Sequence, residues 1–227
     1  MSKSIKLKIV PDTQYEDHTC GLCAASAVYS FYGMDPEDYE LRTYLGTDNI
    51  LPYNFPGRDR IEAWMGGADN FFAGTLPPDM LAVLYWDGFS TRLLTNGYPR
   101  YRKRLHDHLQ NGNPALAVVY GCLHWVVVTG IDDRGVWIAD SLSWEEFGNR
   151  RRYRLPHEEF ARDEHGLILV SRDEQPGEHL VREMTYPAFA REYARGVAFG
   201  AAGLGRNVPR WMGLDRFLSR STIKGAP

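Results

Sequence analysis

The chain has 227 residues, 44% of them hydrophobic and 13% aromatic, which is enough to bury one substantial core. A net charge of −3 and an isoelectric point near 6.2 exclude a general electrostatic attraction to nucleic acid. The sequence has no run of about 18 apolar residues and no Walker-type phosphate loop, so we expect no membrane span and no P-loop nucleotide site.

The compartment is predicted from the N-terminal residues and the cysteines. The N-terminal stretch alternates like a β-strand and is too short for a signal peptide. The three cysteines, one of which must be unpaired, fit a reducing compartment better than a disulfide framework. We therefore expect a cytoplasmic protein, or one that is exported without a cleavable signal peptide.

A helix is predicted to begin after Thr19, a residue type favoured at helix N-caps. Cys20 then falls in the first turn, where unpaired backbone N–H groups and the helix dipole favour a thiolate over a thiol. This setting makes Cys20 the candidate nucleophile, whereas Cys23, one turn later, is predicted to be a core residue. The helix is indicated by apolar residues at helical spacing followed by a glycine stop, namely Leu22, Ala25, Val28, Tyr29, Tyr32 and Gly33.

Gln14 lies six residues before Cys20 and can turn back toward the start of this helix. Its side-chain amide and the backbone N–H of Cys20 could together bind the oxygen of a carbonyl under attack, as an oxyanion hole does. We therefore predict that Gln14 stabilises the oxyanion, at about 3 kcal/mol per donor.

Two further candidates lie on a predicted β-hairpin. His124 is in an apolar run that predicts a buried strand, and Asp140 closes the next strand. The segment Asp132–Gly135 suits a tight reversal, so the strands are predicted to pair antiparallel. Counting outward from this turn puts Val127 opposite Asp140, with His124 three positions further along and near diagonal reach. Asp140 could then orient His124 and stabilise its charged form, as in triad chemistry.

These residues carry a resemblance to a known family. The pattern Gln14-x5-Cys20-Gly21, the small-residue helix after it, and His124 with Asp140 sixteen positions later resemble the papain-like cysteine peptidases. The sequence is most similar to the bacteriocin-processing branch, the double-glycine leader peptidases, over roughly residues 5–172. Members of that branch commonly carry Pro after the aspartate, where this chain has Ser141.

The resemblance implies an α+β, papain-like fold, in which an N-terminal helical part packs on an antiparallel β-sheet with the active site in the cleft between them. It implies a cysteine peptidase without a cofactor that acts on a protein or peptide substrate and cleaves after small residues such as Gly-Gly. A standalone leader maturase and an antibacterial effector both fit, the latter with an inhibitory or immunity protein as a partner. An amidase or deamidase with the same triad fits as well.

The same side chains permit a different hypothesis, a structural zinc site. Cys20 and Cys23 are three residues apart, and Cys122 lies two residues before His124, so the four could supply Cys₃His ligation. Paired zinc-binding cysteines usually lie on a turn, however, whereas Cys23 continues into a predicted helix.

The composition changes near residue 175. Residues 1–175 are predicted to form the peptidase domain, and residues 176–227 a basic C-terminal extension with eight Lys or Arg against four Asp or Glu. Pro187–Phe199 is predicted to be a helix. We expect the extension to dock on the acidic body. Three alternative roles for it are a partner-binding arm, an interfacial anchor and a removable cover for the cleft.

Overall fold

The computed structural model describes the chain in several stretches. They are residues 4–16, 18–35, 41–42, 45, 47, 74–94, 100–119, 124–144, 150–163, 166–172, 191, 194–199 and 201. Cys122 and most of the predicted C-terminal extension lie outside them.

Eleven helices and strands are defined within this part of the chain. The helices are α1 (Cys20–Phe31), α2 (Pro77–Trp86), α3 (Tyr101–Gln110) and α4 (His157–Asp163). The strands are β1 (Ile5–Lys6), β2 (Ser90–Leu94), β3 (Ala115–Val119), β4 (His124–Asp132), β5 (Gly135–Trp144), β6 (Arg150–Pro156) and β7 (Gly166–Ser171). No helix among the described residues has the length and apolar character needed to cross a membrane.

The strands form one antiparallel sheet in the order β2-β7-β3-β4-β5-β6, and β1 pairs with β4. β3 and β4 are apolar almost throughout because both faces of the sheet are covered. One face packs on α1 and α2, and the other on α3 and α4. Alternating residues of β4 show this division, since Trp125 and Val127 belong to the first core and Val126 and Val128 to the second. The α+β class predicted from the sequence is confirmed.

Helix α1 begins at Cys20, as the sequence predicts. Thr19 occupies the N-cap position, but its hydroxyl donates to the carbonyl of Glu16, at 2.9 Å, and makes no capping hydrogen bond. Most of the helix is buried against the sheet, and small residues such as Ala24 and Ala25 allow this close approach. The result is a nucleophile candidate held at a helix terminus by a well-packed helix.

The described residues near the C-terminus pack on this body. Residues 194–199 are helical, and Phe199 is buried in the core that also contains Cys20. A Cβ on Gly196 would lie 2.2 Å from Pro78 Cα, and Arg195 donates to the carbonyl of Thr91 at 3.3 Å. These residues therefore contact both α2 and the edge strand β2.

Candidate active site

The hairpin of β4 and β5 contains a bulge that the sequence does not reveal. Asp132 pairs with Gly135 and Gly130 with Trp137, but beyond Thr129 the register shifts, so that Val127 pairs with Ala139. The predicted pairing of Val127 with Asp140 is therefore wrong by one residue. The physical reason is the additional residue in β4, since a bulge places two residues of one strand opposite one of its partner.

This one-residue shift brings the acid and the base together. In an unbroken ladder Asp140 would lie opposite Val127, an odd number of residues from His124, and the two side chains would point to opposite faces. With the shift, extending the register one residue beyond the pair of Val127 with Ala139 puts Asp140 opposite Val126, two residues from His124 and on the same face. His124 Nε2 lies 2.7 Å from Asp140 Oδ1.

A second irregularity follows directly after Asp140. β5 and β6 pair regularly as far as Ala139 with Arg152, and the pairing resumes only at Trp144 with Arg150. Residues 140–143 of β5 thus face a single residue of β6. Backbone groups of this bulge bond partners outside β6. Leu142 N–H donates to Asp140 Oδ1 at 2.9 Å, and the Ser141 carbonyl accepts from Gln14 N–H at 3.2 Å.

Asp140 is completely buried, and the described residues give its two oxygens three donors. His124 and Leu142 N–H bond Oδ1, and the Tyr153 hydroxyl donates to Oδ2 at 2.7 Å. Burial by itself would raise the pKa of Asp140, but these hydrogen bonds and the charge of His124 outweigh it and lower the pKa. Asp140 is therefore a carboxylate fixed in place. Sequence reasoning missed Tyr153, whose position on β6 gave no signal.

His124, the first residue of β4, joins Asp140 to Cys20. Its side chain is 7% exposed, and it hydrogen-bonds the side chain of Cys20 as well as Asp140. Since Nε2 bonds Asp140, Nδ1 is the nitrogen that remains for the sulfur. Burial lowers the pKa of His124. The hydrogen bonds to Asp140 and Cys20 and their charges outweigh this effect, so the pKa of His124 is raised to about 9. The arrangement favours an imidazolium beside the Asp140 carboxylate.

Gln14 has a defined hydrogen-bonding environment. Its Nε2 donates to the carbonyl of Glu16 at 2.8 Å, and its Oε1 accepts from the Ser141 hydroxyl at 2.9 Å. The Glu16 carbonyl also accepts from Thr19 N–H at 3.1 Å. The Gln14 amide and the residue before Cys20 therefore meet at one oxygen atom, which places Gln14 beside the start of α1.

A tight wall lies next to Cys20. A Cβ on Gly21 would lie 2.4 Å from Thr75 Cβ, so no larger residue fits there without movement. The Thr75 carbonyl accepts from the indole Nε1 of Trp125 at 2.7 Å. The residues that follow Cys20 and His124 are thus linked through Thr75, which sequence reasoning did not identify as part of the site.

The zinc hypothesis concerns residues that are only partly described. Cys23 is buried within α1, and Cys122 lies outside the described residues. Within the described part of the chain, no cluster of three or more His, Cys, Asp or Glu side chains is arranged to hold a metal ion.

The sheet, the helix opening on a cysteine and the paired histidine and aspartate define the class of papain-like cysteine peptidases. A family model described as the Peptidase_C39-like family matches residues 6–165, and the chain belongs to this family. The protein is a hydrolase, a cysteine peptidase, as the sequence resemblance predicted.

Several solved structures are similar to the chain at low sequence identity. A double glycine motif protease from an AMS/PCAT transporter, solved in complex with the leader peptide, has 16% identity and a TM-score of 0.47, covering 74% of this chain and 96% of its own. The peptidase domain of Streptococcus ComA has 17% identity and a TM-score of 0.48, covering 73% and 99%. A putative C39-like peptidase from Bacillus anthracis has 12% identity and a TM-score of 0.49, covering 76% and 100%. No curated protein matches the sequence.

Proposed function

We propose that the protein hydrolyses a peptide bond after small residues through a thioester on Cys20. The observation that carries this proposal is the hydrogen-bonded series Cys20–His124–Asp140 at the N-terminus of α1. It supplies a nucleophile, a base and an orienting carboxylate, which are the three parts that covalent acyl transfer needs.

In the proposed reaction the Cys20 thiolate attacks the scissile carbonyl carbon and forms a tetrahedral oxyanion. The C–N bond then breaks, and the departing amine takes the proton of the His124 imidazolium. Water next attacks the thioester while His124 removes its proton, which releases the carboxylic acid and restores the thiolate. Asp140 holds the imidazole in the orientation that both steps require.

The proposed oxyanion hole consists of the Gln14 side-chain amide and the Cys20 backbone N–H. One N–H of Gln14 Nε2 is bonded to Glu16, which leaves the second for an incoming oxyanion. The Cys20 N–H belongs to the first turn of a helix, where backbone donors have no intrahelical acceptor.

Cleavage after Gly-Gly or similar small residues is supported by family membership. The candidate substrates are leader peptides, which would make the protein a standalone maturase, or a target protein, which would make it an antibacterial effector opposed by an immunity protein.

The test is mass spectrometry of a peptide panel and a bacterial lysate incubated with the wild type or with Cys20→Ala. We expect new termini after Gly-Gly or Gly-Ala with the wild type and none with the variant. Side-chain mass changes of about one dalton without new termini would favour the amidase or deamidase alternative. If a panel of Gly-Gly leader peptides stays intact while lysate proteins are cut, the effector role is favoured over the maturase.

We further propose that residues 1–175 form the peptidase domain and residues 176–227 an extension docked on it. The buried ring of Phe199 and the contact of Gly196 with Pro78 support docking. A chain ending at residue 175 should then have a lower unfolding temperature than the full chain but should keep the Cys20-dependent activity. An unchanged unfolding temperature would contradict docking.

A further inference from the structure

The N-terminal loop that carries Gln14 is attached to the bulge of β5. Gln14 N–H donates to the Ser141 carbonyl at 3.2 Å, and the Ser141 hydroxyl donates to Gln14 Oε1 at 2.9 Å. Arg151, the residue of β6 opposite this bulge, donates to the Pro11 carbonyl at 3.4 Å and to the Thr13 hydroxyl. The loop is therefore fixed to the strand that bears Asp140.

The Glu16 carbonyl determines which way the Gln14 amide faces, and the Ser141 hydroxyl fixes the amide at its other end. An amide group can rotate by half a turn and exchange its oxygen and nitrogen at little steric cost, so hydrogen-bond partners decide its orientation. Here an N–H must point to the Glu16 carbonyl, which can only accept, and Oε1 accepts the hydroxyl of Ser141. Ser141 is 6% exposed, so water competes little for this hydroxyl.

We propose that Ser141 is a positioning residue that holds the Gln14 amide with its second N–H available to the oxyanion. This inference rests on the proposed peptidase reaction and on the role of Gln14 in it. Without the hydroxyl, Gln14 keeps only the Glu16 hydrogen bond and its side chain rotates more freely. Donors that are oriented in advance stabilise the transition state more than donors that must first be ordered.

The same bulge thus links two parts of the site. Asp140 contacts His124, and Ser141, the next residue, contacts Gln14. The carboxylate that orients His124 and the hydroxyl that holds the proposed oxyanion donor therefore lie on adjacent residues.

Kinetics of Ser141→Ala on a peptide that the wild type cleaves test the proposal. We expect kcat to fall about 5- to 30-fold with KM nearly unchanged, because the hydrogen bond to the oxyanion forms only in the transition state. Ser141→Thr, which keeps the hydroxyl, should restore most of kcat. In a Gln14→Ala background, Ser141→Ala should have no further effect, because the donor it positions is gone.

Two controls separate positioning from a loss of stability. Tyr32→Phe removes another half-buried hydroxyl, which bonds Asn113 and the Val170 carbonyl far from Gln14, and should lower the unfolding temperature without changing kcat. If Ser141→Ala lowers the unfolding temperature markedly, Ser141→Cys replaces it in the kinetic test, because the thiol fills the same space but is a poor hydrogen-bond donor. An equal loss of kcat from Ser141→Ala with and without Gln14 would overturn the proposal.

A peptide aldehyde distinguishes this inference from the peptidase reaction itself. The aldehyde forms a hemithioacetal with Cys20 whose oxygen lies where the oxyanion would. If the wild type hydrolyses no peptide, the peptidase proposal fails, and the dissociation constant of Ac-Gly-Gly-aldehyde then decides the role of Ser141. A weakening of fivefold or more in Ser141→Ala supports it, and equal or undetectable binding in both proteins contradicts it.

Discussion

Asp140 and Asp79 are equally buried, with no exposed surface, yet their surroundings differ in the number of hydrogen-bond donors. Asp140 receives three, and its pKa is lowered. Asp79, near the start of α2, accepts only a long 3.4 Å hydrogen bond from Leu76 N–H, and its Oδ1 has no partner among the described residues. Burial raises the pKa of Asp79 to about 8, and the Leu76 hydrogen bond only partly opposes this shift.

The comparison shows that burial alone does not determine the charge of a carboxyl group in this protein. A buried carboxylate stays ionised where donors replace the water it has lost, and it takes up a proton where they do not. The proposed catalytic carboxylate has its donors, and the carboxyl group of α2 has almost none.

The largest effect is expected from Asp140→Asn. The substitution removes the negative charge that stabilises the His124 imidazolium and permits the wrong ring orientation, so kcat should fall about 10²- to 10⁴-fold. Steady-state kinetics on a cleaved peptide measure this fall. A loss of less than tenfold in a folded variant would show that the donors around Asp140 serve structure and not the reaction.

The next effect concerns stability and uses Asp79→Asn. Because burial raises the folded-state pKa of Asp79 to about 8 from the ordinary value of 3.8, the folded chain binds one more proton than the unfolded chain between these limits. The stability contributed by the protonated group is complete below the unfolded pKa and is lost as the pH rises toward 8. Asp79→Asn lacks this titration. Between pH 5 and pH 8 its free energy of unfolding should therefore rise relative to that of the wild type by more than about 1 kcal/mol.

Urea unfolding of both proteins at the two pH values measures that difference. Asp133→Asn, which removes an exposed carboxylate from the β4–β5 turn, is the matched control and should follow the wild type at both values. Parallel profiles for Asp79→Asn and the wild type would mean that Asp79 has donors comparable to those of Asp140.

A smaller effect is expected from Tyr153→Phe, which removes one of the three donors to Asp140. Loss of this buried hydrogen bond should cost about 1 kcal/mol of stability and leave Oδ2 unsatisfied. The carboxylate then orients His124 less well, and kcat should fall about 3- to 30-fold, less than in Asp140→Asn. Kinetics at one pH are sufficient, and a loss equal to that of Asp140→Asn would contradict an additive role for the donors.

The smallest effect is a shift in the pH dependence of activity. With the pKa of His124 raised to about 9, the imidazolium persists through neutral pH and is lost above this value, so kcat/KM should decline on the alkaline side near pH 9. In Asp140→Asn the decline should move to lower pH, because a neutral amide no longer stabilises the charged ring. If kcat/KM declines at the same alkaline pH in the two proteins, Asp140 is not the cause of the raised pKa of His124.

Much of this site follows from local sequence rules. The start of α1 at Cys20 follows from helical periodicity, and the pairing of β4 with β5 follows from two apolar runs around the turn at Asp132. These features depend on neighbouring residues only, which a single sequence contains. The resemblance to the peptidases supplied the class.

The remaining features depend on tertiary contacts. The bulge at Thr129 shifts the register by one residue, and nothing in the apolar run of β4 marks it. Tyr153 reaches Asp140 from another strand, and Thr75 reaches Gly21 from a distant segment. In the sequence Ser141 differs from the family pattern but gives no sign of its bond to Gln14, which spans 127 residues of chain.

The additional residue in β4 has a consequence for engineering. Regularising the hairpin by deleting Thr129 would restore an uninterrupted ladder, which general rules for ideal sheets would favour. It would also turn His124 to the opposite side of the sheet from Asp140. Transplanting this acid–base pair into another scaffold therefore requires copying the imperfection along with the two side chains, since their sequence separation has the wrong parity for a regular hairpin.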